Sequence, residues 1–156
     1  MINTFIYSTP TLNAVPYIRD KFNIKLSKQF EYNEEYKYFY EYSSKYIEFC
    51  FTEFTKHNSI LFIIKYLLDI YSNTSISSHK TVIFYNLQFV NISSFKSFKH
   101  IFEKTFDKYI YIIYSTCYYN FFSSFCQCEF VKDTLFKNNN ILQNFDNASV
   151  YTSAIE

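Results

Sequence analysis

Short apolar runs alternate with longer amphipathic segments along most of this 156-residue chain. The runs Thr81–Tyr85 and Tyr109–Ser115 are almost continuously apolar, which is typical of strands that are covered on both faces in a parallel sheet. Segments 4–8, 46–51 and 127–131 are the other strand candidates. Because these strands alternate with helices, the pattern predicts an α/β fold in which a parallel sheet lies between two helix layers.

Amphipathic helices are predicted between these strands. The first covers residues 13–22, with Asn13 as its N-cap and Pro16 in its first turn. A second is predicted within residues 59–71, where apolar residues recur at helical spacing. Another covers residues 93–106 and has an aromatic face.

These elements predict one domain over residues 1–136, a length at which roughly 68–70% of the unfolded surface can be buried. Residues 23–45 are polar and aromatic and are interpreted as a variable insertion, in which 36–42 forms an edge strand. Residues 137–156 are rich in asparagine and are expected to form a short C-terminal tail.

The apolar fraction of the chain comes from an unusual set of residues. There are 20 Phe and 17 Tyr, but no Gly, no Trp and a single arginine, Arg19. Codons for Phe, Tyr, Ile, Asn and Lys are AT-rich, so the composition indicates a strongly AT-biased genome. Aromatic residues are therefore interpreted first as packing residues, including those that could form a base-stacking platform: Tyr118, Tyr119, Phe121 and Phe122.

Charge, hydropathy and cysteine content exclude several classes of function. The net charge is +1, and no block of like charge marks a nucleic-acid-binding tail. The longest apolar run is interrupted by Lys65 and Asp69 and is shorter than the ~20 residues that span a bilayer. With no targeting signal visible, we expect a soluble intracellular protein without a membrane partner. The four cysteines lack a second pair at zinc-ligand spacing, so no metal site is expected.

The loop after the first strand is where a sheet of this kind binds its ligand. Against the phosphate-binding pattern G-x-x-x-x-G-K-[ST], Ser8 and Asn13 occupy the glycine positions. Ala14 occupies the lysine position, and Val15 replaces the magnesium-binding hydroxyl. Glycines let backbone N–H groups curl around phosphates, and the lysine neutralises phosphate charge. Without either, we expect no tight nucleotide binding and no cofactor.

Four later segments follow the order of motifs in one family of ATPases. They are a strand at 79–86, a helical segment at 99–104 of the form basic-basic-x-x-Glu-Lys, a strand at 109–115, and Ser124-Phe125-Cys126 at the place of a Ser-Arg-Cys motif. Over residues 4–131 the chain resembles AAA+ clamp-loader small subunits, which include the small subunits of replication factor C and the delta-prime subunit of bacterial DNA polymerase III. The resemblance implies a three-layer parallel sheet of P-loop type with a degenerate phosphate loop, and a truncated lid at 137–156.

The resemblance also implies what individual residues replace. Tyr85 stands where the family has its magnesium-binding aspartate, and Asn86 where it has the activating glutamate. Ser115 or Thr116 falls at the sensor position and keeps a hydroxyl group. Phe125 replaces the arginine finger, a residue that can contribute ~10³–10⁵ in rate to phosphoryl transfer. The resemblance therefore implies a degenerate ATPase core that is not an enzyme.

The leading hypothesis is a non-catalytic clamp-loader-like subunit of the DNA replication machinery, which binds neighbouring subunits without hydrolysing ATP. Its candidate partners are other clamp-loader subunits and a sliding clamp, with any DNA contact indirect. The alternative is a small intracellular DNA-binding or protein-interaction module with an AAA+-derived fold. In that case Lys96, Lys99 and Lys104 are the candidate contacts to a phosphate backbone. A decayed remnant without activity is the third hypothesis.

The remaining polar residues with catalytic potential are interpreted as capping or surface positions: Glu48, Glu53, Glu103, His57, His79 and His100. Cys126 has no base near it in sequence and is expected to be an inert thiol. Phe125 is expected either to form a hydrophobic contact with a partner or to fold back into the core of its own domain.

Overall fold

The computed structural model describes residues 2–25, 28–31, 39–42, 45–53, 64–66, 68–69, 71 and 80–132. Its strands are β1 (Thr4–Ser8), β2 (Lys28–Glu31), β3 (Phe39–Tyr42), β4 (Tyr46–Cys50), β5 (Thr81–Tyr85), β6 (Ile110–Ser115) and β7 (Gln127–Val131). Its helices are α1 (Ala14–Lys21) and α2 (Ile92–Thr105), and residues 64–66, 68–69 and 71 are also helical. Short 3₁₀ turns cover Phe51–Glu53, Leu87–Phe89 and Asn120–Ser124.

The seven strands form one sheet in the order β2-β3-β4-β5-β6-β1-β7. Neighbouring strands from β4 to β7 in that order are parallel, and β3 pairs antiparallel with both β2 and β4. The five predicted parallel strands are confirmed, and their ends differ from the prediction by at most one residue. A strand within 36–42 is also confirmed as β3. It is not an edge strand, because β2 pairs with its outer side.

Helices pack on both faces of the parallel strands. The connection from β1 to β4 carries α1, whereas the connections from β4 through β5 and β6 to β7 run across the sheet in the opposite direction. Since such crossovers are right-handed, the two groups of connections lie on opposite faces. In β5, Ile83 and Tyr85 accordingly pack with Ile18 of α1, while Val82 and Phe84 pack on the α2 side. The predicted α/β fold is confirmed.

Helix α2 begins and packs as its sequence predicts. Asn91 is its N-cap, and the Oδ1 atom of Asn91 accepts a hydrogen bond of 2.7 Å from the backbone N–H of Ser94. Phe95, Phe98 and Phe102 are buried on one face of the helix. The predicted helix at 93–106 is thus confirmed within one residue.

Aromatic rings fill the core on the α2 side of the sheet. The ring centroids of Phe5 and Phe122 are 4.8 Å apart, and those of Phe95 and Tyr119 are 4.7 Å apart. Tyr119 and Phe122 are buried, and Tyr118 and Phe121 pack against this cluster. The interpretation of these four residues as packing residues is confirmed.

No helix in the described part of the chain is both long enough and apolar enough to cross a membrane. The predicted tail or lid at 137–156 lies outside the described residues, as do His57 and His79.

Candidate functional site

The carboxyl ends of β1 and β6 define the candidate site. The two strands are neighbours, but the chain leaves β1 toward the α1 face and leaves β6 toward the opposite face. In an open α/β sheet, such a reversal opens a crevice at the strand ends, and ligands bind there. Ser8 ends β1, and Thr116 follows Ser115 at the end of β6, so the structure brings these three predicted positions to one edge.

The space beneath the first loop is filled by the protein itself. The Ser8 hydroxyl lies 2.6 Å from the Tyr114 hydroxyl and also donates to the Thr9 carbonyl at 2.9 Å. Ser8 and Thr9 have no exposed surface, and Tyr114 is 1% exposed. A polar pair from two adjacent strands therefore satisfies its hydrogen bonds internally.

The loop from residue 9 to residue 13 lacks the glycines and the lysine of a phosphate cradle. The backbone N–H of Leu12 donates to the Thr9 carbonyl at 3.3 Å, so it points back into the loop. Ala14, at the lysine position, is buried against the core under α1, and Val15 is half-buried. Asn13 is exposed and makes no side-chain capping bond to α1. No residue of this loop supplies a positive charge.

A chain of polar contacts crosses the ends of β4, β5 and β6. The Asn86 amide donates to the Cys50 sulfur at 3.4 Å and accepts from the Gln88 amide at 3.3 Å. The Gln88 carbonyl oxygen in turn accepts from the backbone N–H of Thr116 at 3.2 Å. Asn86 has φ 64°, a left-handed conformation that asparagine tolerates better than most residues. These contacts couple the ends of three strands through side-chain amides.

Tyr85 points away from this chain of contacts and into the core below α1. Its hydroxyl donates to a carboxylate oxygen of Glu48 at 2.7 Å. Burial, together with the charge of Glu48, raises the pKa of Tyr85 far above its ordinary value, so the phenol stays protonated. A protonated phenol held in this way cannot replace a metal-binding aspartate.

Glu48 was expected at a solvated surface position, and this expectation is wrong. Glu48 is 4% exposed, and its two carboxylate oxygens accept from Arg19 at 2.6 Å and 3.2 Å. Burial raises the pKa of Glu48, whereas the hydrogen bond from Tyr85 and the charge of Arg19 lower it. Two features of the sequence could have indicated this buried pair: a glutamate inside an apolar strand, and a single arginine in the chain.

The segment Ser124-Phe125-Cys126, which the sequence comparison predicted to replace an arginine finger, packs against its own domain. The Phe125 ring is half-buried, with centroids 5.6 Å from Phe102, 5.1 Å from Phe106 and 5.2 Å from Phe121. These ring contacts agree with packing of Phe125 within its own domain, and a partner contact through the exposed part of the ring stays a prediction. Burial raises the pKa of the Cys126 thiol to about 12, so the thiol stays protonated and unreactive. Ser124 is exposed.

We expect Phe125→Ala to lower the free energy of unfolding by roughly 1–2 kcal/mol, less than a fully buried phenylalanine would cost. Phe125→Arg should lower it further, because the guanidinium cannot replace the ring contacts. Ser124→Ala, at the exposed neighbouring position, should change stability by less than about 0.5 kcal/mol. Urea denaturation measures all three; native stability of Phe125→Arg would contradict this packing.

The three candidate DNA-contacting lysines lie in different surroundings along α2. The ammonium group of Lys99 is 5.0 Å from the ring centroid of Phe95 and 5.4 Å from that of Phe121. Lys104 lines a cavity between α2 and the helical residues 65, 68 and 69, and Lys96 is exposed. A DNA contact through these lysines stays a prediction.

Within the described residues, no group of three or more His, Cys, Asp or Glu side chains is placed to hold a metal ion. Comparison of the chain with known protein families and with curated proteins gives no match.

Proposed function

We propose that the chain is a non-catalytic subunit with an AAA+-type core, which acts by binding clamp-loader subunits of a DNA replication machinery. The observation that carries this proposal is the filled crevice at the end of β1. There the Ser8–Tyr114 pair and the buried Ala14 replace the features that hold a nucleotide. The site lies where an open α/β sheet binds its ligands. Its polar side chains, however, are buried and hydrogen-bonded to each other.

The strand order supports the AAA+ part of the proposal. In the parallel sheet, β5 and β6 lie between β4 and β1, the first two parallel strands of the chain. Doubly wound dinucleotide-binding and flavodoxin-like sheets instead place their first two parallel strands side by side. AAA+ cores have two strands inserted at this place, as this sheet does.

The surface beside the crevice supports a role in protein contacts. Phe89 is 54% exposed in the short turn after β5, and Ile92 is 62% exposed as the first residue of α2. This places two apolar side chains near the carboxyl edge of the sheet, on the flank of the crevice. Exposed aromatic and aliphatic side chains of this kind are common at the centres of protein interfaces.

The proposal predicts binding to clamp-loader subunits without ATP hydrolysis. Mixed with the clamp-loader subunits of its own organism, the protein should co-elute with them in size-exclusion chromatography. Alone, it should show no magnesium-dependent change in melting temperature with ATP, although a ligand at a hundred times its Kd stabilises by ~2.7 kcal/mol.

Two outcomes would contradict the proposal. A clear shift with ATP and magnesium would mean that the crevice still accepts nucleotide. Failure to co-elute, combined with DNA binding that weakens steeply with salt, would favour the alternative of a DNA-binding module. Lys96→Gln and Lys104→Gln should then each reduce the salt dependence.

A further inference from the structure

A cavity of about 270 Å³ lies near the start of β6, at the end of the parallel strands opposite the candidate site. The helical residues Lys65, Leu68 and Asp69 form one wall, the second half of α2 forms another, and the turn that precedes β6 lies at one end. Leu68, Ile101 and Tyr109 give it an apolar part. The cavity is therefore bordered by three separate elements of the fold.

Positive charge is concentrated around this cavity. Lys65, Lys104 and Lys108 line it together with one acidic residue, Asp69, so its lining has a net charge of +2 with His100 neutral. The whole chain has a net charge of only +1, so everything outside the lining sums to −1. Such a concentration attracts small anions from solution.

Two hydroxyl groups of the lining are hydrogen-bonded within the protein, whereas two of its ammonium groups form no ion pair in the described part of the chain. The Tyr109 hydroxyl donates to the Leu68 carbonyl at 3.2 Å, and the Thr105 hydroxyl donates to the Ile101 carbonyl at 2.7 Å. Among the described residues, neither Lys65 nor Lys104 forms an ion pair, with Asp69 or with any other acidic group. Ammonium groups around one small concave space repel each other, and a bound anion would relieve that repulsion.

We propose that this cavity binds a small organic phosphate, with the apolar part of the ligand on Leu68, Ile101 and Tyr109 and the phosphate between Lys65 and Lys104. The ammonium group of Lys108 lies 5.6 Å from the ring centroid of Tyr109 and adds positive charge at one end of the cavity. Lysine ammonium groups bind phosphate as compact point charges. A concave space of about 270 Å³ suits a small ligand better than an extended strand of nucleic acid. Lys99, which an extended strand along α2 would also need, is held over Phe95 and Phe121.

Phenyl phosphate is the probe, titrated by calorimetry into the full chain at low salt. We expect saturable binding with one site, weaker binding of inorganic phosphate and none of phenol. Lys65→Gln and Lys104→Gln should each weaken phenyl phosphate binding about tenfold, because each removes one charge next to the ligand. Lys96→Gln is the matched control: it lies on the same helix but does not line the cavity, and it should change the affinity less than about twofold.

Three results would overturn the proposal. The first is no binding of phenyl phosphate up to about 10 mM by protein with a normal circular dichroism spectrum. The second is an equal loss of affinity in Lys96→Gln and Lys104→Gln, since it would indicate diffuse attraction to the whole helix. The third is tighter binding of a single-stranded oligonucleotide that phenyl phosphate does not displace, which would indicate a nucleic-acid surface. Melting curves of the unliganded variants should match that of the unaltered protein.

Discussion

Ile112→Asp should lower the free energy of unfolding by at least about 4 kcal/mol, a large fraction of the stability of a domain of this size. Ile112 has no exposed surface and lies in β6, between β5 and β1. It packs in the cluster under α1. An aspartate there would be buried as an unpaired charge or would have to be protonated. Far-UV circular dichroism with urea denaturation measures the loss.

Two further substitutions make this result specific. Ile83 lies opposite Ile112 in the pairing of β5 with β6 and also has no exposed surface, so Ile83→Asp should be as damaging. Ile92 is 62% exposed in the first turn of α2, where a negative charge interacts favourably with the helix dipole. Ile92→Asp should therefore be neutral or slightly stabilising. A normal urea midpoint for Ile112→Asp would mean that the sheet is wrongly described.

The parallel strands were predictable because burial on both faces leaves a strong local pattern. A strand covered on both faces needs apolar residues at nearly every position, as Thr81–Tyr85 and Ile110–Ser115 have. Helix α2 was predictable for a related reason, since its aromatic residues recur at helical spacing. In both cases, the residues of one strand or helix are enough to predict which of its faces are buried.

The β2–β3 hairpin and the burial of Glu48 depend on contacts between distant segments. β2 and β3 are short, and their stability depends on pairing with each other and with β4. Glu48 stands in an apolar strand where local pattern alone places a glutamate on a solvated face. Its partner Arg19 lies 29 residues earlier and reaches it only because the crossover from β1 to β4 carries α1 across the sheet.

The sequence was enough to predict that the candidate site lacks the residues of a phosphate loop. It was not enough to predict which side chains fill the space instead. Ala14 at the lysine position is visible in the sequence. The contact that fills the crevice joins Ser8 to Tyr114, which are 106 residues apart. That pairing follows from the adjacency of β1 and β6, which local pattern does not specify.

Arg19, the single arginine of the chain, connects α1 to the sheet through its contact with Glu48. The Nε and Nη2 atoms of Arg19 donate to different oxygens of Glu48, a bidentate geometry that a lysine cannot reproduce. Tyr85 donates to the same carboxylate from β5, so three elements meet at one buried charge. In a chain whose other basic residues are lysines, this contact explains why arginine occurs at this position.

Arg19→Met should lower the free energy of unfolding by about 3 kcal/mol at neutral pH. This is the low end for a broken buried ion pair, because the Arg19 side chain keeps 33% of its surface exposed and its charge is partly screened by solvent. Among the described residues, the substitution leaves the buried Glu48 with Tyr85 as its one side-chain partner. Arg19→Lys should recover part of the loss, since it restores the charge without the bidentate geometry.

The pH dependence of the stability lost in Arg19→Met shows whether the ion pair with Glu48 is the cause. Burial already raises the pKa of Glu48 in the folded protein, and losing Arg19 removes an attraction that lowers it, so the pKa rises further. Between the unfolded and the folded pKa, the folded state holds a proton that the unfolded state has lost, so stability falls as pH rises. In Arg19→Met that fall is larger and continues to higher pH. The difference in stability between the two proteins should therefore be small near pH 4 and grow toward about pH 8.

Glu48→Gln supplies the control through a double-mutant cycle, measured by urea denaturation at each pH. With glutamine at position 48 there is no carboxyl group to titrate, so Arg19→Met in that background should cost nearly the same at every pH. The coupling energy between the two positions should then carry the pH dependence and grow as pH rises. If Arg19→Met is equally destabilising near pH 4 and near neutral pH, its effect comes from lost packing of the arginine side chain, and the buried ion pair contributes nothing measurable to the fold.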